Sequence, residues 1–219
     1  ELEAAASADP HWGAPPLEMA WAKLDSGDVS GASEGIRGLG WFDPGMHRGV
    51  DLRERVDLGD PSGRDWRGRL AGAMAADVRL SVKREGTLAV LDWYSGAPGA
   101  RARLRRTVSA GDPDLDLQAA LAQAELQAGD WVQAQLVVDR VLASRRRAGL
   151  FHAVRGRACD GMGQPARSAS SFELALKYAG DHPSVLWWTY RARRSSGDVP
   201  GSQAVDRKST RLNSSHTSI

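Results

Sequence analysis

A single cysteine, Cys159, stands among 219 residues, so no internal disulfide can form and disulfide-stapled secreted scaffolds are excluded. No apolar run approaches the ~20 residues that a membrane-crossing helix needs, and the charged residues, 26% of the total, are scattered throughout. The loops of common enzymatic chemistry are missing as well: there is no GxSxG nucleophile elbow, no Walker phosphate loop and no GxGxxG opening a helix after a strand. His11, His47, His152 and His182 fall in no metal-ligand spacing such as HExxH. Cys159 has no histidine placed by sequence to activate it, which makes it a packing residue rather than a nucleophile. The chain therefore reads as a non-enzyme without catalytic residue, cofactor or metal ligand, long enough to build its own core.

Surplus charge of one sign is also lacking once the C-terminal stretch is set aside. Residues 206–216 read DRKSTRLNSSH, which resembles the in-frame translation of a sequencing-library adapter, and residues 206–219 are accordingly treated as a non-native tail. That tail carries Arg207, Lys208 and Arg211 against Asp206, so without it the 29 basic and 27 acidic residues fall to 26 of each. A whole-chain attraction to nucleic acid is lost with it, and any basic patch is local. Residues 1–8 look helical and show neither an initiator Met nor a signal-peptide pattern, so further chain is expected before them.

What is present is a period. Gly129, Gly163 and Gly197 are 34 residues apart, and Gly27 lies three whole periods before Gly129. Seven residues before the first three of these turns in frame stand Ala20, Ala122 and Gly156; five after the four glycines stand Ala32, Ala134, Ser168 and Ser202; nine after stand Ile36, Val138 and Phe172. The pattern has a mechanical reading as a helical hairpin. Small residues let two helices approach, a bulky one fills the groove between them, and glycine permits a left-handed backbone at the turn.

This pattern resembles the tetratricopeptide repeat, with a small residue in helix A, Gly at the turn, then a small and a bulky residue in helix B and a closing Pro. Residues 149–182 fit best, although the closing Pro is late at Pro183, and residues 115–148 fit nearly as well. Residues 13–46 match through Met19, Ala20, Gly27, Ala32, Ile36 and Pro44. In residues 81–114 the strict frame falls on Ser95, but Gly96, Leu88 and Ala89 shift together while Ala100 and Leu104 keep the frame, so one turn residue has been lost. Residues 47–80 fit poorly: Pro61 takes the glycine position, and Arg53 and Glu54 stand where helix A wants apolar and small residues, with only Leu70 and Ala73 in frame.

The expected fold is all-α, a right-handed solenoid of five to six hairpins, with repeat-like helices in 1–46, a poorly matching segment in 47–80 and repeats in 81–205. A β-hairpin within 47–95 is the alternative, because Val78, Leu80 and Val82 alternate, Glu85-Gly86 could turn the chain, and Leu88 to Trp93 is largely apolar. Helix starts are marked by Asp28, Asp130 and Asp198 after frame glycines, by Asp112-Pro113 with Asp114 and Asp116 in the first turn, and by Gly180-Asp181-His182-Pro183.

The resemblance implies a scaffold that binds a protein or peptide in a groove lined by the A helices. Counted from the frame glycines, the inward positions are Gln123 and Leu126, then Ala153, Arg157 and Asp160, then Trp187, Arg191 and Arg194. Arg157 and Arg191 hold the same place one repeat apart and could grip a carboxylate of an acidic peptide, with Trp187 as an aromatic anchor and Trp187 or Trp188 alternatively packed between repeats. The Asn and Lys of the family's carboxylate-clamp subtype are not supplied, which puts chaperone-tail binding in doubt. Two other functions stay open. The array could be the non-catalytic recognition arm of a larger enzyme or regulator, or it could bind RNA through Arg101, Arg103, Arg105 and Arg106 and Arg145, Arg146 and Arg147. Nearby acids and the lack of interleaved aromatics favour solvated faces for those clusters, so nucleic acid is the minor reading.

Overall fold

The computed structural model describes residues 14–41, 66–110 and 114–216, and these form twelve α-helices, a 3-10 turn at Leu39–Trp41 and no strand. The helices are α1 (Ala14–Asp25), α2 (Val29–Gly38), α3 (Trp66–Ala76), α4 (Val78–Ser81), α5 (Arg84–Tyr94), α6 (Ala100–Ser109), α7 (Leu115–Gln127), α8 (Trp131–Ser144), α9 (Gly149–Gly161), α10 (Pro165–Ala179), α11 (Pro183–Ser195) and α12 (Val199–His216). The expectations for residues 1–8, Pro44, Arg53, Glu54, Pro61 and Asp112-Pro113 lie outside the described residues. No helix among the described residues is long and apolar enough to cross a membrane.

The chain divides into two compact units, Glu1–Leu121 and Ala122–Ile219. In the first, α1 pairs with α2 and α5 with α6, while α2 and α3 pack on α5. In the second, α9 pairs with α10 and α11 with α12, α8 packs on α9, and α11 lies against both α9 and α10. These are tetratricopeptide-like helical hairpins, and the frame glycines make their turns. Gly27, Gly96, Gly129, Gly163 and Gly197 all have positive φ, between 67° and 84°, and among the described residues no non-glycine does.

Each of the five turns closes in the same way. The glycine N–H donates three residues back and the next N–H donates five residues back, as in Gly163 to Asp160 and Gln164 to Cys159, both 2.9 Å. Where aspartate follows the glycine it also caps the next helix: Asp28 accepts from Gly31 N–H at 2.8 Å and Asp198 from Gly201 N–H at 2.9 Å. Asp114 caps α7, accepting from Asp116 and Leu117 N–H at 2.9 and 3.1 Å, rather than sitting inside its first turn. Gly163→Ala should cost about 1–2 kcal/mol because its φ is left-handed. Gly72→Ala, in an open position on α3, should add about 0.5–1 kcal/mol; urea melts of the two variants check both signs.

The hairpin interior follows the sequence frame. Ala20, Ala32, Ile36, Ala89, Leu104, Ala122, Ala134, Val138, Ser168, Phe172 and Ser202 are all buried. At Gly156 the approach within the hairpin is close: a Cβ there would lie 2.8 Å from the Phe172 ring, nearer than real Cβ atoms come. The β-hairpin alternative is not what forms over 78–94, which instead holds α4 and α5. From Gly86 to Tyr94 every residue of α5 is buried. A helix covered on all sides shows no amphipathic stripe, so periodicity alone does not separate it from a buried strand. The last helix, α12, runs through position 206 without a break, and Lys208 Nζ lies 3.0 Å from Asp181 Oδ1.

Polar networks tie the first unit together. Arg37, 4% exposed, donates through Nε to Thr87 Oγ1 at 3.0 Å and through Nη2 to Lys83 O at 3.1 Å, and it forms an ion pair with Asp114. Asp92 receives a bidentate pair from Arg67 at 2.7 and 3.0 Å and a third bond from Arg103 at 2.6 Å. Burial works to raise the Asp92 carboxyl, but the two guanidiniums outweigh it and hold the group below the usual carboxylate range.

Candidate functional site

The inward positions of the second unit come from α7, α9 and α11. Because the hairpins repeat, Gln123, Arg157 and Arg191 fall in register 34 residues apart. The first two are in contact: Arg157 Nη1 donates to Oε1 of the fully buried Gln123 at 2.7 Å. The Arg157 guanidinium also lies over the Trp188 ring, 5.0 Å from its centre. Arg157 is thereby held as part of the packing.

Arg157, Asp160 and Arg191 line one pocket of ≈ 270 Å³ with Trp131, Gly161, Phe172, Trp188, Ala192 and Ser195. Of the six residues singled out in the sequence, these three are brought together here, with Gln123 joined to them through Arg157. Trp187 and Arg194 are not in the lining. They stand on a neighbouring stripe of α11, where i, i+3, i+4 and i+7 share a helix face. On that stripe Trp187 stacks on Tyr190 at 6.0 Å and 20°, Arg191 lies 5.9 Å from the Trp187 ring centre, and Arg194 donates to Tyr190 Oη at 2.9 Å. Trp187 is 36% exposed whereas Trp188 is 3% exposed. The first stands at the surface against Tyr190, and the second packs between helices.

Arg191 and Asp160 are both exposed, and neither has an ion-pair partner among the described residues. Sequence reading did not single out Trp131. Its place two residues after the frame glycine Gly129 was the available signal, together with Gly161 opposite, where a Cβ would lie 2.4 Å from the Trp131 ring. Tyr190, standing where the repeat wants a small residue, turns out to be the stacking partner of Trp187.

His182 sets the start of α11. Its Nδ1 accepts from Ser184 N–H at 3.2 Å, so the neutral ring serves as the N-cap, and burial pushes its pKa down from 6.5 to about 4. A histidine depressed in the folded state favours unfolding when protonated. Its contribution is complete above pH 6.5 and is lost as pH falls toward 4, by up to about 3 kcal/mol. Asp77, Glu85 and Asp92, all held below their ordinary values, lose their contribution at lower pH than this. Urea midpoints should therefore fall between pH 7.5 and 4.5, and His182→Asn, which keeps a capping acceptor, should flatten that dependence.

The remaining candidates sit elsewhere. Arg145, Arg146 and Arg147 are exposed around the α8–α9 turn, and Arg103 is engaged by Asp92 and by Glu85 at 2.7 Å. Cys159 is buried, and that burial raises its thiol pKa against the pull of Arg167 and Arg155. Among the described residues no group of three or more His, Cys, Asp or Glu is placed to hold a metal ion.

No family model matches the sequence, and no curated protein does. Solved structures that resemble the chain include a MamA point mutant, at 13% identity and a TM-score of 0.45, covering 91% of this chain and 96% of that one. Another is MamA MSR-1 C2, at 13% identity and a TM-score of 0.48, covering 99% of each chain.

Proposed function

We propose that the chain is a protein-interaction scaffold of the tetratricopeptide family and that a peptide or protein partner docks on the face formed by α9 and α11. The observation that carries this reading is the ≈ 270 Å³ pocket whose Arg191 and Asp160 have no ion-pair partner among the described residues, beside the exposed Trp187. An exposed indole flanked by guanidiniums is the composition of an interface hot spot, where a few aromatic and arginine side chains carry most of the binding energy. The five repeated turns support the family assignment.

Random 12-residue peptides selected on the full chain by display provide the test. Arg191→Glu and Trp187→Ala should each weaken the selected peptides by about tenfold. Arg106→Glu, an exposed change in the other compact unit, should leave affinity unchanged. Equal binding by all three variants would place the interaction elsewhere.

A further inference from the structure

We infer that the pocket lined by Trp131, Arg157, Asp160, Trp188 and Arg191 recognises a charge pair on its partner, one carboxylate for Arg191 and one lysine or arginine for Asp160, rather than a run of acids. This inference rests on the docking reading above and specifies what that site takes. Asp160 and Arg191 line the same pocket with opposite charge, yet they do not pair with each other or with another described residue. Elsewhere in the same compact unit, opposite charges within reach do pair: Arg155 with Asp139 at 2.9 Å, Lys208 with Asp181 at 3.0 Å, and Arg193 with Glu173.

The surrounding groups fit two unlike charges. Arg191 is steadied over the Trp187 ring at 5.9 Å, which presents its guanidinium without closing it off. Arg157 already covers the Trp188 ring and is bonded to Gln123, which leaves the Trp131 indole as the aromatic wall for an incoming cation beside Asp160. Gly161 next to Asp160 carries no side chain, and this lets the Trp131 ring lie close against α9. A segment bearing only carboxylates would bring one of them against Asp160, and like charges brought together across an interface oppose binding.

Three pools of fluorescein-labelled 10-residue peptides in a common Gly/Ser/Leu background test the proposal with the full chain. One pool carries one Glu and one Lys at every spacing from one to five, one carries two Glu, and one carries two Lys. By fluorescence anisotropy the mixed pool should bind about fivefold tighter than either of the others. Asp160→Asn should bring the mixed pool down to the level of the Glu pool. Asp160→Lys should make the Glu pool the tightest, and Arg191→Glu should do the same for the Lys pool. Both positions are exposed, and circular dichroism of each variant confirms that the helices persist. A Glu pool that binds wild type as tightly as the mixed pool, with Asp160→Asn changing nothing, overturns the charge-pair inference and leaves docking intact. Failure of all three pools to bind wild type overturns the docking reading together with it.

Discussion

Replacing Arg37 by alanine is expected to destabilise the chain by about 3–5 kcal/mol, measured as the shift in urea unfolding. Arg37 is 4% exposed and its guanidinium joins three parts of the first compact unit: α2, which carries it, α5 through Thr87 and the N-cap residue Lys83, and the cap of α7 through Asp114. Removing it takes the Arg37 cation from the Asp114 carboxylate, 22% exposed, and one donor each from Lys83 O, which keeps the Thr87 N–H at 3.0 Å, and from Thr87 Oγ1, which keeps Ser33 Oγ at 3.1 Å. The loss of a buried charge's partner costs more than the pair itself contributes, because Asp114 keeps its two cap N–H donors but loses the cation that offsets its desolvation. Arg37→Met with Asp114→Asn should therefore cost less than the sum of the two single changes. A double-mutant cycle with no coupling would show that Arg37 acts through packing of its stem alone.

Phe172→Ala should likewise cost about 3–5 kcal/mol. The ring is 3% exposed and faces Gly156, which has no side chain that could relax into the space left behind. The same geometry gives a sharper expectation at Gly156. In the wild-type background Gly156→Ala should destabilise by about 1–3 kcal/mol, since its Cβ would sit 2.8 Å from the ring. In the Phe172→Ala background it should stabilise, because the space is open and alanine is the better helix former by about 1 kcal/mol. A reversal of sign within one cycle separates close helix approach from a general intolerance of change at position 156.

These two side chains also show what was legible in the sequence. Gly156 and Phe172 were visible because a 34-residue period repeats their roles, and the positive φ at Gly27, Gly96, Gly129, Gly163 and Gly197 follows from the same period. Even the displaced turn at Gly96 could be placed, since Leu88 and Ala89 moved with it. Arg37 was not visible: it lies beside the frame residue Ile36, and nothing in one sequence announces that Thr87 and Asp114 will meet it from 50 and 77 positions away. The strand alternative over 78–93 arose for a related reason, because α5 is buried all round and loses the polar face by which a helix is recognised.

The candidate site was legible in register but not in the roles of its members. Counting from glycines put Gln123, Arg157 and Arg191 in line, and the first two do touch. Period alone could not show that Arg157 is held by Gln123 and Trp188 while Arg191 stands open, nor that Trp131 closes the pocket from the start of α8. Side-chain contacts across helices depend on helix rotation and rotamer, which a spacing rule does not contain.

The most direct measurement is hydrogen–deuterium exchange of the full chain with and without a display-selected peptide. Slower exchange in α9 and α11, residues 149–161 and 183–195, with no change in α5 and α6, is the result expected if the partner docks on that face. Protection confined to the Arg103–Arg106 stretch of α6, or to the exposed Val132 and Leu136 of α8, would contradict it.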